Sequence, residues 1–243
     1  GVEITTAKNG HSTVWNITES TDWRRTTDAQ SWSDYYKELR DKGAIVYVVH
    51  AFDPDYAMPY LYDMTYYSGY EVMNVSEHPL SVRGRREFKA WDGLNTRGRP
   101  TDGQNGKIFG SWTTDSHDPQ KIGDNYIMAF LPRLSAENIY AALTNGNYFG
   151  SNGPNIRIDI NGVGMGQTVQ YLNDGEKLSL NMHIFDDNSY LTKVTLIKNT
   201  VTGQNNYEYT YTSQWKPEDP PDPRDTQTTE IVATWDLKGK KLN

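Results

Sequence analysis

The sequence predicts an α/β domain followed by a small antiparallel β domain, and three observations carry that reading. Strand-like and helix-like segments alternate over the first two thirds of the 243 residues. The run Ala44-Ile45-Val46-Tyr47-Val48-Val49 is continuously apolar, the pattern of a strand covered on both faces of a parallel sheet. After about Gly153 the rhythm becomes alternation of apolar and polar residues with no helix between, the mark of antiparallel strands with one solvated face.

Gly1 to Thr6 and Ser12 to Thr18 read as strands. Trp32, Tyr35, Tyr36 and Leu39 recur at helical spacing, with Ser31 the expected N-cap, Asp34 three residues on and Gly43 the stop. The apolar strand Ala44 to Val49 comes next. Pro59 to Tyr67 reads as a further helical stretch and leads into the strand Tyr70 to Asn74. Phe88, Trp91 and Leu94 mark another helix, ended near Gly98. Lys107 to Trp112 and Asn125 to Leu131 are strands, and Ser135 caps a last helix that carries Ile139 and Leu143 and closes at Gly146. Beyond it three segments alternate: Ile156-Ile158-Ile160, then Leu178-Leu180-Met182-Ile184, then Ile231-Ala233-Trp235-Leu237. Lys216 to Pro223 is a proline-rich acidic loop. The expected division is a β/α domain over 1–153 and a small β-sandwich-like domain over 154–243, with no internal repeat.

Composition removes several function classes. The formal net charge is -7, from 24 basic and 31 acidic residues, which argues against a broad basic face for nucleic acid. Cysteine is absent, so disulfides and thiolate sites are excluded and any metal must be held by nitrogen and oxygen. No apolar run reaches the ~20 residues of a membrane span, and no secretory signal is visible. The abundance of tyrosine, tryptophan, threonine and asparagine favours a periplasmic or secreted protein over a cytoplasmic one.

Chemistry concentrates at strand ends. In Thr113-Thr114-Asp115-Ser116-His117-Asp118 a carboxylate and an imidazole stand two apart just after a strand. In extended backbone such positions share a side, so Asp115 and His117 can grip one ion, and both suit zinc, manganese or iron. The competing reading of this pair is a capped turn with a hydrogen-bonded imidazole. His50 follows the apolar strand at its exit, where ligands gather in α/β barrels. Glu3 is a carboxylate in an apolar, β-branched run, and a buried carboxylate must be paired or bind metal. His11 follows Gly10 where a turn opens into the next strand, so neighbouring strands can bring it to Glu3. The remaining two of the five histidines read as structural: His183 on the polar register of its strand, and His78 before Pro79 in a loop.

The order Gly1-Val2-Glu3-Ile4-Thr5-Thr6, Gly10-His11, Val49-His50, Gly69-Tyr70-Glu71-Val72-Met73-Asn74, Trp91-Asp92-Gly93-Leu94 and Thr114-Asp115-Ser116-His117 resembles the polymerase-and-histidinol-phosphatase (PHP) superfamily. The later runs Leu134 to Ile139, Ala141 to Leu143, Gly146 to Tyr148 and Gly153-Pro154 are similar to the end of that domain. The likeness spans about residues 1 to 165 and rests on the order of the motifs. It implies a distorted seven-stranded β/α barrel, followed here by the small antiparallel β domain. It also implies two or three divalent ions (Zn, Mn or Fe) held by Glu3, His11, His50, Asp115 and His117, with Glu71 a supporting or structural carboxylate. Family members open with a His-x-His pair and then an Asp-His pair. This chain has neither, so the barrel's N-terminal strands are missing from it. The expectation is a fragment of a longer protein rather than a degenerate homologue, since the five remaining ligands look intact.

The function implied is a metal-dependent hydrolase that acts through metal-activated water, most readily on a small-molecule phosphoester. In that scheme Asp53, Asp55 and Asp118 are candidates to orient ligand imidazoles, with loop solvation the equal alternative, whereas Arg83, Arg85 and Arg86 read as a solvated helix start more than as groups that steer phosphate. A hydrolase of amides or carboxylic esters would use the same ligands. The alternative is a non-catalytic module that binds carbohydrate or a cell-surface partner, with tyrosine and tryptophan stacking on sugar rings.

Overall fold

The computed structural model of the chain describes residues 1–6, 10–19, 21–22, 26–53, 57–74, 82–96, 107–170, 177–186, 191–199 and 229–240. Its first strand, β1 (Val2–Thr5), is separated by only five residues from β2 (His11–Trp15). A parallel partner would require a crossover of a dozen or more residues, so this short link dictates an antiparallel pair, with Thr5 opposite His11 and Glu3 opposite Thr13.

Helix α1 (Ala29–Asp41) buries Trp32, Tyr35, Tyr36 and Leu39, the stripe that the spacing predicts. Its N-cap is Asp28 rather than Ser31. The Asp28 carboxylate accepts from the Ser31 amide at 2.8 Å, while the Ser31 hydroxyl accepts from the Asp28 amide at 3.0 Å. Ser31 is thus the third residue of a capping box. Strand β3 (Ile45–Val49) is buried at every position; it pairs antiparallel with β2 and parallel with β4 (Gly69–Asn74).

The helix expected over Pro59–Tyr67 is a set of tight turns. Asp63 N–H donates to Tyr60 O at 2.9 Å and Leu61 N–H to Met58 O at 3.3 Å. Met64 N–H also reaches Tyr60 O at 3.0 Å, a single helical turn, and these closures do not propagate into a helix. Helix α2 (Val82–Thr96) then leads to β5 (Phe109–Thr113), parallel to β4.

The expected β/α barrel is overturned. Among the described residues strand outweighs helix, and the main sheet is open, in the order β1-β2-β3-β4-β5. Only β3, β4 and β5 run parallel. A β/α barrel needs every neighbouring pair parallel and the last strand closed on the first; here the β1-β2 hairpin and the antiparallel β2-β3 pair prevent both. A separate two-stranded sheet is formed by β6 (Tyr126–Ala129) and β7 (Tyr148–Ser151). Between them lies α3 (Ala136–Asn145), capped by Ser135 and ended by Gly146 at φ 71°.

Alternate residues of β3 divide between two layers. Val46 and Val48 face α1 and α2 within the larger core. Ile45 and Tyr47 face Leu143 and Tyr148 on the other side, where the Tyr47 hydroxyl meets Leu143 O at 2.9 Å and the Tyr148 hydroxyl at 2.6 Å. Beyond β7 come β8 (Asn155–Ile160), β9 (Val163–Gly164), β10 (Leu180–Phe185), β11 (Leu191–Asn199) and β12 (Thr229–Lys240). All their pairings are antiparallel. The proline-rich stretch Lys216 to Pro223 lies outside the described residues, and no described helix is long and apolar enough to cross a membrane.

Candidate metal centre

Strand pairing brings the first three predicted ligands together. Glu3 opposes Thr13, which stands two residues from His11 on the same face of the sheet. His11 opposes Val49, and His50 follows at the exit of β3. The result is a triangle of ligand atoms: Glu3 Oε1 to His11 Nδ1 2.9 Å, His11 Nδ1 to His50 Nε2 2.7 Å, and His50 Nε2 to Glu3 Oε1 3.7 Å. Bonds of about 2.0–2.2 Å to one tetrahedral ion would space ligand atoms ~3.3–3.6 Å apart, so one side of the triangle is near a face edge of such a shell and the two hydrogen-bonded sides would open by about half an ångström to admit the ion. Both histidines are buried, whereas the Glu3 side chain is 40% exposed, leaving the group open on one side.

The electrostatics favour a cation. Two imidazole nitrogens 2.7 Å apart repel unless a proton or another positive charge lies between them. Glu3 is held below the usual carboxylate range by its hydrogen bond to His11, against the opposing effect of burial, with His50, His11 and His117 adding positive potential. Burial alone would push His50 down. The adjoining Glu71 carboxylate, with Asp115 and Glu3 behind it, more than offsets this and raises the imidazole above its ordinary value.

His50 is held from β4. The buried Glu71 carboxylate accepts from the His50 backbone amide at 2.8 Å and faces His50 Nδ1 at 3.4 Å. Its second oxygen accepts from the Thr113 hydroxyl. Glu71 therefore anchors the His50 backbone and sets a carboxylate behind the ring while Nε2 points at His11, the placement of a group that orients metal ligands. His50 also sits at φ 32° and Asp115 at φ 42°. Such left-handed backbone costs a non-glycine residue on the order of 1–3 kcal/mol and gathers at functional sites.

Asp115 and His117 stand at the rim rather than in the triangle. Asp115 lies close enough for its charge to act on His50, and His117 for its charge to act on Glu3. Asp115 Oδ2 accepts from Asn74 Nδ2 at 3.2 Å. His117 is 89% exposed, and its Nδ1 lies 3.0 Å from Asp115 O. A carbonyl can only accept, so Nδ1 is the donor in this contact. Asp118 caps the 3₁₀ turn Pro119–Lys121, so this loop also has the features of the capped-turn reading. Asp53 joins the periphery through its backbone, whose amide donates to His50 O at 2.9 Å. Asp55, His78 and the side chains of Arg83, Arg85 and Arg86 lie outside the described residues. His183 is exposed on β10, on the register its strand pattern predicts.

No family model, curated protein or solved structure matches the chain. The partners missed in the sequence are Asn74 and Thr113. Both sit at the exits of neighbouring parallel strands, opposite each other in register, and strand order is what a lone sequence does not give.

Proposed function

We propose that the chain holds a divalent cation through Glu3, His11 and His50 and serves as a metal-dependent hydrolase. The observation that carries this is the convergence of those three ligand atoms, from two strands and one strand exit, within 3.7 Å. One carboxylate and two imidazoles suit zinc, manganese or iron over calcium or magnesium. Such an ion, when bound, supplies Lewis acidity and lowers the pKa of water. The chain's own residues do the rest. Glu71 and Thr113 orient His50, Asn74 orients Asp115, and His117 offers Nε2 from the rim. The exposed side of Glu3 leaves room for a substrate oxygen.

Phosphoesters are the favoured substrate class, and that choice rests on the resemblance to the PHP superfamily. The carbohydrate-binding alternative loses ground because Trp32, Tyr35, Tyr36, Tyr47, Tyr67 and Tyr70 are fully buried in the core, where no sugar can stack on them. The test loads the purified chain with Zn²⁺ or Mn²⁺, removes free ion and measures metal content and aryl phosphate hydrolysis. Wild type should retain metal, His11→Ala and His50→Ala should lose it, and Asp115→Asn should hold it more weakly. Equal metal content in wild type and both histidine variants would sink the reading.

A further inference from the structure

Helix α2 carries an anomaly on its buried side. Glu87, Ala90 and Leu94 follow helical spacing and are all buried. Ala90 and Leu94 belong to the larger core, yet Glu87 is a carboxylate at only 1% exposure. Packing alone would place an apolar residue there. A carboxylate so deep must be matched by hydrogen-bond donors. One donor is the Tyr70 hydroxyl of β4; another is the Phe52 backbone amide, 3.3 Å from Glu87 Oε1.

Phe52 stands two residues beyond His50, in the turn closed by the Asp53 amide on His50 O. The two carboxylates thus hold the same exit of β3. Glu71 takes the His50 amide, and Glu87 takes the Phe52 amide from the helix layer. Between them the chain passes through the left-handed backbone of His50 at φ 32°, which holds only where its surroundings over-determine it.

We infer that Glu87 is a positioning residue for His50: its carboxylate, buried in the helix layer, anchors the β3 exit so that the imidazole points at His11 and Glu3. This rests on the metal-centre reading. Its consequence is that a side chain that does not reach the ion sets the geometry and affinity of the site.

The test uses the full chain with Co²⁺ as probe. It reads the d–d absorption band, the dissociation constant by chelator competition, and the Tm of the metal-free form. Glu87→Gln, which can still accept from Phe52, should keep the wild-type band and an affinity within about threefold. Glu87→Ala should shift the band and weaken affinity about tenfold or more, in the range known for residues that orient ligands. Glu87→Asp keeps the charge but shortens the reach; it should do the same and serves if the alanine variant does not fold. Tyr70→Phe removes the other donor and should lower Tm while leaving the band in place. A wild-type band and affinity in Glu87→Ala or Glu87→Asp, whatever their Tm, overturns the inference alone, as does an equal band shift in Tyr70→Phe. Wild type that binds no Co²⁺ overturns the metal-centre reading itself, and this inference with it.

Discussion

In the proposed centre, His50 would couple proton and metal. Its pKa is raised above the ordinary 6.5 by carboxylates that outweigh burial. Protonation therefore stabilises the metal-free fold: that contribution is complete below pH 6.5 and is lost as pH rises through the raised value. Glu3 is lowered from 4.5, so its contribution is present above that value and fades as pH falls through the lowered one. Together they favour the metal-free form most between about pH 4.5 and 6.5. The Tm advantage of metal-free wild type over His50→Asn should accordingly be larger at pH 5.5 than at pH 8.5. Metal uptake should run the other way and strengthen as pH rises, because the ion needs the unprotonated nitrogen. A Tm advantage that is flat with pH would remove the carboxylates as the cause. At this scale much was legible. Glu3 stands out as a carboxylate in a β-branched run, and His50 as an imidazole at the end of an apolar strand. Glu71 was recognisable as a supporting carboxylate, but the specific atoms it holds depend on the parallel register of β3 and β4.

Among the elements, the hairpin from β1 to β2 has the most direct bearing on the site. Gly10, immediately before His11, has φ 88°. A Cβ there would fall 2.5 Å from Met58 Cε and 2.8 Å from Met58 Cβ. Gly10→Ala therefore meets both unfavourable backbone and overpacking, and should cost on the order of 2–4 kcal/mol in urea unfolding. It should also displace His11 and weaken metal retention. Combination with Met58→Ala should recover the steric part only. Full recovery would mean that the backbone conformation contributes nothing. Elements with strong periodicity were readable: α1 by its aromatic stripe, β3 by its apolar run, α3 by Ser135 and Gly146. The stretch from Pro59 to Tyr67 misled because consecutive turns can also press aromatic rings into a core. Tyr67, whose hydroxyl donates to Leu61 O at 2.7 Å, is one such ring.

For the molecule as a whole, the alternation of strands and helices pointed to an α/β domain and the family resemblance to a barrel, and alternation carries no information on strand direction. The link of residues 6–10 does, since so short a connection admits only a hairpin. An ion that binds the folded chain alone stabilises it by mass action, about 2.7 kcal/mol at a hundredfold excess over Kd. At ~2–4 °C per kcal/mol for a chain of this size, saturating Zn²⁺ should raise Tm by roughly 5–10 °C and EDTA should reverse it. The same Tm with and without ion would argue that the triangle takes no metal. The sheet also assigns its ligands unequally. His11 comes from an interior strand and His50 from the exit of another, but Glu3 comes from β1, which among the described residues pairs with β2 alone over four residues and has Val2 49% exposed. Outermost strands open first in native-state fluctuations. Fraying of β1 would carry one arm of the chelate away while the imidazoles stay in place, so ion release should be timed by this edge rather than by global unfolding. Deuterium uptake at the β1 amides should then slow on metal loading, and their opening rate should set the upper limit on how fast the ion escapes.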